Sequence, residues 1–380
     1  MVALHRQAFN TPAADLKRLH AIPIDDVRVV TENSLPVASL RLLRAGHFFG
    51  GKSVPAADVC SVQVAPECRS KGYAGLLMRE VLNELRSQGV ALSILFPSTP
   101  APYRRAGYEM AGAFVRYSIP ISVLPRHEYL DVVTWDDSAL EEVMDCYRRC
   151  AVSAQGLLDR PPSWWPERTL RTVPPENRPV YRYLVRREGE VTGYVAFTQE
   201  RADSPLPYVY SLSCRDLFWR DAPTARSLLG LAASYRGLGT ELSWNGPVED
   251  PLTFFLDEQD AVVQRSRRWM ARLIHIGNAL AARGYCRHVE AAVEFTVADR
   301  VLPDNSRAYR LEVSGGQGTA VVIDQARMQI DAGALAGVYT GWLPAREAVR
   351  AGAIVEGREQ EVETLEALFA GAKPWLGDHF

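Results

Sequence analysis

The first hundred residues alternate between strand and helix patterns. Short runs of β-branched and apolar residues predict strands at 27–30, 37–43, 59–64, 91–96 and 114–119. Between the third and fourth of these, Leu77, Val81 and Leu85 recur at every fourth position, which predicts an amphipathic helix over 74–88 that ends at Gly89. A strand, a helix and a second strand joined by short turns predict a parallel crossover in a mixed α/β sheet.

The second part of the chain repeats this order. The pattern predicts a helix over 137–151, a hairpin of strands 181–187 and 191–199, a strand at 208–214, a helix over 222–236 and a strand at 241–244. An internal duplication therefore follows from the pattern of elements.

The third part of the chain has a different order of predicted helices and strands. Apolar residues spaced along one helical face predict an opening helix that ends at Gly284; they are Trp269, Leu273, Ile276 and Leu280. Strands at 289–297, 307–313 and 319–323 follow, and helices fill most of 331–370. This order predicts an α+β domain.

A basic, glycine-containing loop joins the third strand to the first long helix. The loop has the form RxxGxA, from Arg69 to Ala74. Free N–H groups and the macrodipole at a helix N-terminus favour an anion, and Gly72 lets the main chain approach a bulky pyrophosphate. An ordinary strand-to-helix turn has the same pattern, so the loop alone leaves both interpretations open. The GxGxxG motif is absent, which disfavours nicotinamide cofactors.

Composition narrows the class of protein. The chain of 380 residues is 47% hydrophobic and 23% charged, which is typical of a globular protein of two or three domains. The net charge of −2 disfavours a nucleic-acid partner. No apolar run reaches the roughly 20 residues of a membrane helix, and the first residues show no secretory signal. These features predict a cytoplasmic protein without a membrane partner.

The six cysteines are widely separated and include no CxxC pair, which favours reduced thiols over a disulfide framework. Cys146 and Cys150 share a helix face, but no His or Asp stands at ligand spacing. We therefore expect structural thiols and no metal site.

A second motif follows the apolar strand 91–96. Tyr103, Gly107 and Tyr108 form a YxxxGY sequence one strand after the basic loop. The combination of the loop, the helix, the strand and this motif resembles the GNAT superfamily of N-acetyltransferases, which bind acetyl-coenzyme A. The second repeat has Asp221 and no glycine where the loop would lie, so we expect only the first repeat to bind the coenzyme.

Over nearly its whole length the chain resembles the enhanced-intracellular-survival (Eis) family of bacterial acetyltransferases. The resemblance implies an α/β (α+β) architecture of tandem GNAT-like domains with mixed central sheets and a C-terminal α+β domain similar to sterol carrier protein. The predicted domains are 1–125, which binds acetyl-CoA, 126–265, which lacks the pyrophosphate loop, and 266–380, whose C-terminal tail enters the active site. The family usually has a short strand before its first helix, and this sequence starts near that helix.

The resemblance also assigns site residues. Tyr103 is the expected general acid and the carboxylate of Phe380 the expected general base. The expected coenzyme contacts are Val62, Gln63, Val64, Arg69, Ser70, Lys71, Gly72, Tyr73, Ala74, Gly75, Ser98 and Thr99. The implied reaction is direct transfer from acetyl-CoA to a primary amine of an aminoglycoside, another polyamine or lysine, by a homo-oligomer that is a hexamer.

Two alternatives stay open at this point. The chain could be a non-catalytic protein that binds acyl-CoA or a lipid on a GNAT scaffold; release of CoA in the presence of an amine distinguishes an enzyme from such a protein. Residues 371–380 could also be a disordered tail, although Trp375 and Phe380 are large apolar groups that favour an anchored one.

Overall fold

The computed structural model describes residues 2–11, 22–129, 131–166 and 178–379. The chain forms two compact units. Unit 1 comprises Met1–Gly112, Arg268–Pro374 and Asp378–Phe380, and unit 2 comprises Ala113–Arg267 and Trp375–Gly377. None of the described helices has the length and apolar character that crossing a bilayer requires.

The elements are numbered along the described residues. The strands are β1 (Val27–Glu32), β2 (Leu35–Phe49), β3 (Lys52–Val64), β4 (Leu92–Leu95), β5 (Glu109–Pro120), β6 (Val132–Thr134), β7 (Leu158–Asp159), β8 (Tyr181–Arg187), β9 (Glu190–Arg201), β10 (Tyr210–Trp219), β11 (Gly239–Gly246), β12 (Val262–Leu273), β13 (Ala291–Ala298), β14 (Ala308–Ser314), β15 (Gln317–Ile323), β16 (Gln329–Asp331) and β17 (Ile354–Val355). The α-helices are α1 (Val2–Phe9), α2 (Tyr73–Ser87), α3 (Pro100–Arg105), α4 (Leu140–Val152), α5 (Ala222–Ser234), α6 (Ile276–Ala282), α7 (Ala332–Thr340), α8 (Ala345–Arg350) and α9 (Glu359–Phe369).

The sheet of unit 1 begins with a long hairpin. Strands β1, β2 and β3 are antiparallel neighbours, β4 runs parallel to β3, and the end of β12 pairs antiparallel with β4. Helix α2 covers this sheet with the buried residues Leu77, Met78, Val81, Leu82 and Leu85. The predicted helix over 74–88 is therefore confirmed, and its apolar face forms the core.

Strands β3 and β4 separate soon after they meet. Ala56 pairs with Leu92, and in the described part of the chain no further pair follows toward the carboxyl ends of the two strands. The fully buried Asp58 carboxylate lies in the gap: Oδ1 accepts the Ile94 N–H at 3.2 Å, and Oδ2 contacts His47 Nε2 at 2.7 Å. The side chain thus satisfies a backbone donor that the missing ladder would leave unpaired.

The C-terminal segment of unit 1 contains a second sheet. Its strand order is β15-β14-β13-β16-β17, antiparallel except for the parallel pair β13 and β16. Phe295, Leu311, Tyr339, Leu365 and Phe369 are buried in its strands and helices. The predicted α+β order of this segment agrees with these elements.

Unit 2 is built on the order β5-β11-β10-β9-β8-β6. Strands β10 and β11 are parallel, and the other neighbours are antiparallel. Helix α5 connects the parallel pair, and its residues Ala225, Leu228 and Leu229 lie in the core of this unit. The predicted hairpin of 181–187 and 191–199 is present as β8 and β9.

The predicted helix that opens with Trp269 and Leu273 is wrong. Both residues lie in β12, and the helix starts only at Ile276, where His275 Nδ1 accepts the Asn278 N–H at 3.2 Å. A spacing of four residues places two side chains on one face of a strand as well as on one face of a helix. Because β12 is buried on both faces near its end, the strand alternation is missing there.

We expect the Asp58 carboxylate to be a major stabiliser of the β3–β4 junction. Asp58→Ala would remove the acceptor of the buried Ile94 N–H and one contact of His47, so the free energy of unfolding should fall by about 2–5 kcal/mol. Asp58→Asn retains an oxygen that can accept from Ile94 and should lose clearly less. Chemical denaturation of the two variants measures the difference. Equal losses below about 1 kcal/mol would contradict this role.

Candidate functional site

A bulge in β3 shapes the strand beside the gap. Ser61 has a φ of +53°, and the register between β2 and β3 shifts where Ser39 pairs with Gln63 and Arg41 with Cys60. An extra residue at this point bends the strand. The predicted contact residues 62–64 therefore border the region where β3 and β4 diverge.

The side chains of these three residues have different surroundings. Val62 and Val64 pack against the core of unit 1, as do Tyr73 and Tyr103. Gln63 is buried, and its Nε2 donates to Ser39 Oγ at 2.7 Å. The fold thus collects four of the predicted site residues around one apolar cluster.

Helix α2 begins without a side-chain cap. Its N-cap is Gly72, with a φ of +87°, a conformation that favours glycine. A Cβ built on Gly72 or on Gly75 meets no described atom within 4 Å. The described residues therefore leave open space beside the first turn of α2, whose first N–H groups have no partner within the helix, and this arrangement can receive an anion.

The basic side chains of this loop are exposed. Arg69, Ser70, Lys71 and Gly72 all lie on the surface, and Ser70 has a φ of +63°. Within the described ranges, neither Arg69 nor Lys71 lies within salt-bridge distance of a carboxylate. Their charges are thus available to a phosphate group at the start of α2.

The corresponding helix of unit 2 is closed by its own side chain. Asp221 is the N-cap of α5, and its carboxylate accepts the Thr224 N–H at 2.8 Å. The negative charge occupies the position that an anionic ligand would need. Of the two equivalent helix starts, only the one in unit 1 is open.

Tyr103 lies on the short helix α3, after the loop that contains Ser98 and Thr99. Both loop residues are exposed, and the Thr99 side chain makes no capping hydrogen bond. The rings of Tyr103 and Tyr108 pack in an edge-to-face arrangement, with a centroid distance of 6.4 Å. Burial raises the pKa of Tyr103, so its hydroxyl stays protonated at neutral pH.

The chain end reaches the same unit. The ring of His379 stacks on Phe96, directly after β4, with a centroid distance of 4.8 Å. Asp378 is buried and His379 is exposed. Residues 378 and 379 thus have defined positions in unit 1, whereas Phe380, the expected general base, lies outside the described residues.

One titratable residue near β3 was not identified from the sequence. His5 on α1 interacts with the Gln63 side chain; burial lowers the pKa of His5, and the interaction with Gln63 opposes this shift. The imidazole is therefore neutral at pH 7. The spacing of apolar residues in α1 carries no signal for this contact, because Gln63 is distant in the sequence.

In the described ranges no group of three or more potential ligand residues is arranged to hold a metal ion.

Three family models match the chain. An acetyltransferase (GNAT) domain matches residues 1–111, a second acetyltransferase (GNAT) domain matches 156–273, and a sterol carrier protein domain matches 276–377.

Two relatives match most of the length of this chain, and both are named as N-acetyltransferases. An uncharacterized N-acetyltransferase of Streptomyces coelicolor is 29% identical, over 87% of this chain and 82% of its own. An uncharacterized N-acetyltransferase of Streptomyces avermitilis is 28% identical, over 87% of this chain and 83% of its own.

Solved structures share the whole architecture. A GCN5-related N-acetyltransferase from Anabaena variabilis has a TM-score of 0.94 and 29% identity, over 100% of this chain and 96% of that one. Eis1 from Mycobacterium abscessus has a TM-score of 0.82 and 23% identity, over 100% of this chain and 96% of that one, and this likeness shows the fold.

The predicted fold class and the predicted enzyme class are confirmed by these matches. Membership in the Eis family, the domain boundaries at 125 and 265, and the assigned site residues stay predictions. The chain is an N-acetyltransferase of the GNAT type, with two GNAT domains in tandem and a sterol-carrier-protein domain.

Proposed function

We propose that the first GNAT domain transfers the acetyl group of acetyl-CoA directly to a primary amine. The open, uncapped start of α2 beside the bulged strand β3 is the observation that supports this most strongly. The GNAT fold implies acetyl-CoA as the co-substrate, and the loop offers what a pyrophosphate needs: free N–H groups, a glycine main chain and two exposed cations. The capped start of α5 supports a single coenzyme site.

The residues at the start of α2 and at the β3–β4 gap divide the binding between them. The loop from Arg69 to Gly75 holds the pyrophosphate, and Ser98 and Thr99 lie beyond β4 at the other side of the gap. The main chain of 62–64 aligns the pantetheine arm and donates N–H groups to the oxygen of the thioester as negative charge develops on it. This assignment uses the divergence of β3 and β4, because paired strands would have no free N–H groups to donate.

The amine attacks the thioester carbonyl carbon, the C–N bond forms and the C–S bond breaks, and the proton that the acylated nitrogen loses restores the Tyr103 phenol after it has protonated the sulfur. Tyr103 donates its proton to the departing sulfur, and the raised pKa keeps that proton on the hydroxyl until it is needed. The substrate ammonium must lose a proton before attack, and we assign this step to the carboxylate of Phe380. The stacking of the neighbouring residue His379 on Phe96, directly after β4, supports this assignment.

A covalent acetyl-enzyme has little support in this unit. The two cysteines nearest the loop, Cys60 and Cys68, are both buried, and the Cys60 thiol donates to the Arg41 carbonyl. A buried thiol is poorly placed to attack a thioester in an open gap.

The acceptor is proposed as a molecule with several amines, such as an aminoglycoside, another polyamine or a lysine side chain. The resemblance of the sequence to the Eis family supports this class, and it also supports a hexamer. Release of free CoA, followed with a thiol reagent, should occur with kanamycin, spermidine or a lysine peptide and not with acetyl-CoA alone. Failure of all three acceptors would remove the proposed class, and light scattering of the purified protein would test the hexamer.

Gly75 offers a test of the pyrophosphate site with little cost to the fold. An acid in the first turn of a helix is stabilising, so Gly75→Glu should fold at least as stably as wild type. It would also repel the pyrophosphate, so the KM for acetyl-CoA should rise on the order of tenfold above that of the isosteric Gly75→Gln. Steady-state kinetics and thermal unfolding of both variants measure this. Equal KM values for the Glu and Gln variants would argue against an anion at this helix.

Tyr103→Phe tests the general acid. The ring packing against Tyr108 survives, so coenzyme affinity and thermal stability should stay close to wild type, whereas kcat should fall by about 10²-fold or more. Because the pKa of Tyr103 is raised, the wild-type kcat should fall only as the pH rises above about 10. Tyr108→Phe, which removes the hydrogen bond to Ser93 and leaves the Tyr103 hydroxyl in place, is the matched control and should stay active. A similar small loss in both variants would assign the acid elsewhere.

The position of the terminal carboxylate can be tested without changing the core. Deleting Phe380, or extending the chain by two residues, moves the carboxylate and should lower kcat on the order of 10²-fold with little change in the melting temperature. Phe380→Leu keeps the carboxylate and should retain most of the activity. An extended protein with wild-type kcat would leave the base unassigned.

A further inference from the structure

An ion pair lies fully buried in unit 1, away from the coenzyme loop. Arg272 is on β12, and Asp299 follows β13 within the region matched by the sterol carrier protein model. Nη2 of Arg272 is 2.8 Å from both carboxylate oxygens of Asp299, and each side chain is 1% exposed. The two residues come from different parts of the sequence and meet only in the folded unit.

The carboxylate of Asp299 is held firmly. It accepts the N–H groups of Val301 and Leu302 at 3.0 and 2.9 Å and the side-chain amide of Asn305 at 3.0 Å. Burial raises the pKa of Asp299, but Arg272 and these hydrogen bonds outweigh it and the pKa is lowered. Asp299 is therefore a fixed negative charge that orients the guanidinium of Arg272.

The other end of that guanidinium holds the turn after α3. Nη1 of Arg272 donates to the Gly107 carbonyl at 2.9 Å. Gly107 has a φ of +81°, and a Cβ at this position would lie 1.8 Å from the same Nη1. The turn packs closely around the guanidinium, so the position of Arg272 constrains the position of Gly107.

Gly107 is in turn bound to the helix that carries Tyr103. The Gly107 N–H donates to the Arg104 carbonyl at 2.9 Å. The Tyr103 carbonyl accepts the N–H groups of Ala106 and Tyr108 at 2.9 and 3.0 Å. A chain of hydrogen bonds and one ion pair thus leads from Asp299 through Arg272 and the turn to the main chain of Tyr103.

The buried pair of Arg272 and Asp299 has a free-energy cost that a purely structural contact would not need. Nε of Arg272 is buried and has no hydrogen-bond partner among the described residues. Apolar side chains of similar volume are often as stable as a buried ion pair, or more so. A planar guanidinium, however, can hold a carboxylate and a carbonyl at a fixed separation.

We propose that Arg272 and Asp299 are positioning residues for acetyl transfer, which fix the turn at Gly107 and thereby the position of Tyr103. The proposal rests on the assignment of Tyr103 as the general acid. It gives the sterol-carrier-protein domain a part in the reaction of the first domain, because that domain supplies Asp299.

Arg272→Lys is the test. A lysine keeps the positive charge beside Asp299, but its single ammonium group cannot hold the carboxylate and the Gly107 carbonyl in the same geometry. We expect kcat to fall about tenfold, with the KM for acetyl-CoA within about twofold of wild type. In a Tyr103→Phe background the same substitution should change the residual turnover by less than about twofold, because no hydroxyl is left to position.

Arg160→Lys is the matched control. Arg160 and Asp216 form a bidentate pair in unit 2 that is also buried, with nitrogen–oxygen distances of 2.7 and 3.0 Å. We expect Arg160→Lys and Arg272→Lys to lower the melting temperature by similar amounts. Any effect of Arg160→Lys on kcat should be the same with and without the Tyr103 hydroxyl. Asp299→Glu, which keeps the charge and moves it by one methylene, replaces Arg272→Lys if that variant does not fold.

The outcomes separate the two assignments. If Tyr103→Phe alone retains full turnover, the acid assignment fails and the positioning role fails with it. If Tyr103→Phe loses turnover but Arg272→Lys lowers kcat by the same factor in the wild-type and Tyr103→Phe proteins, only the positioning role is overturned. Loss of the Arg272→Lys effect in the Tyr103→Phe background supports it.

Discussion

The divergence of β3 and β4 shapes the candidate site in unit 1. A parallel sheet normally pairs its strands to their ends, and a gap leaves N–H groups without partners. Here the gap persists because Asp58 reaches into it, accepts the Ile94 N–H and is itself held by His47. Burial raises the pKa of Asp58, and the contacts to His47 and Ile94 oppose that shift. The opening is thus built into the core rather than left by a frayed sheet edge.

The two GNAT domains differ in the N-cap residue of the corresponding helix, and this difference distinguishes a candidate ligand site from a structural turn. Both have a strand, a turn and a buried helix in the same order. In one, Gly72 leaves the helix start open and two cations stand beside it; in the other, Asp221 occupies the helix start with its own carboxylate. The same backbone dipole is directed toward solvent in the first case and neutralised internally in the second.

Several local elements could be predicted from the sequence alone, and the chemistry assigned to the loop stays a prediction. Helix α2, the hairpin of β8 and β9 and the basic RxxGxA loop depend on short-range periodicity and on glycine, and such signals are complete within a few residues. The resemblance carried by the loop and by Tyr103 led to the fold class and the enzyme class, both of which are confirmed.

Other features depend on contacts between distant segments. The segment at Trp269 is a strand because β4 pairs with it. Strand β3 extends well before residue 59 because it pairs with β2, whose His47 contacts the buried Asp58. Periodicity cannot reveal such partners, since a four-residue spacing fits a strand as well as a helix and a polar residue in an apolar run suggests an end rather than a buried pair. The ion pair of Arg272 and Asp299 has no local signature at all, because its two charges meet only after the chain has folded.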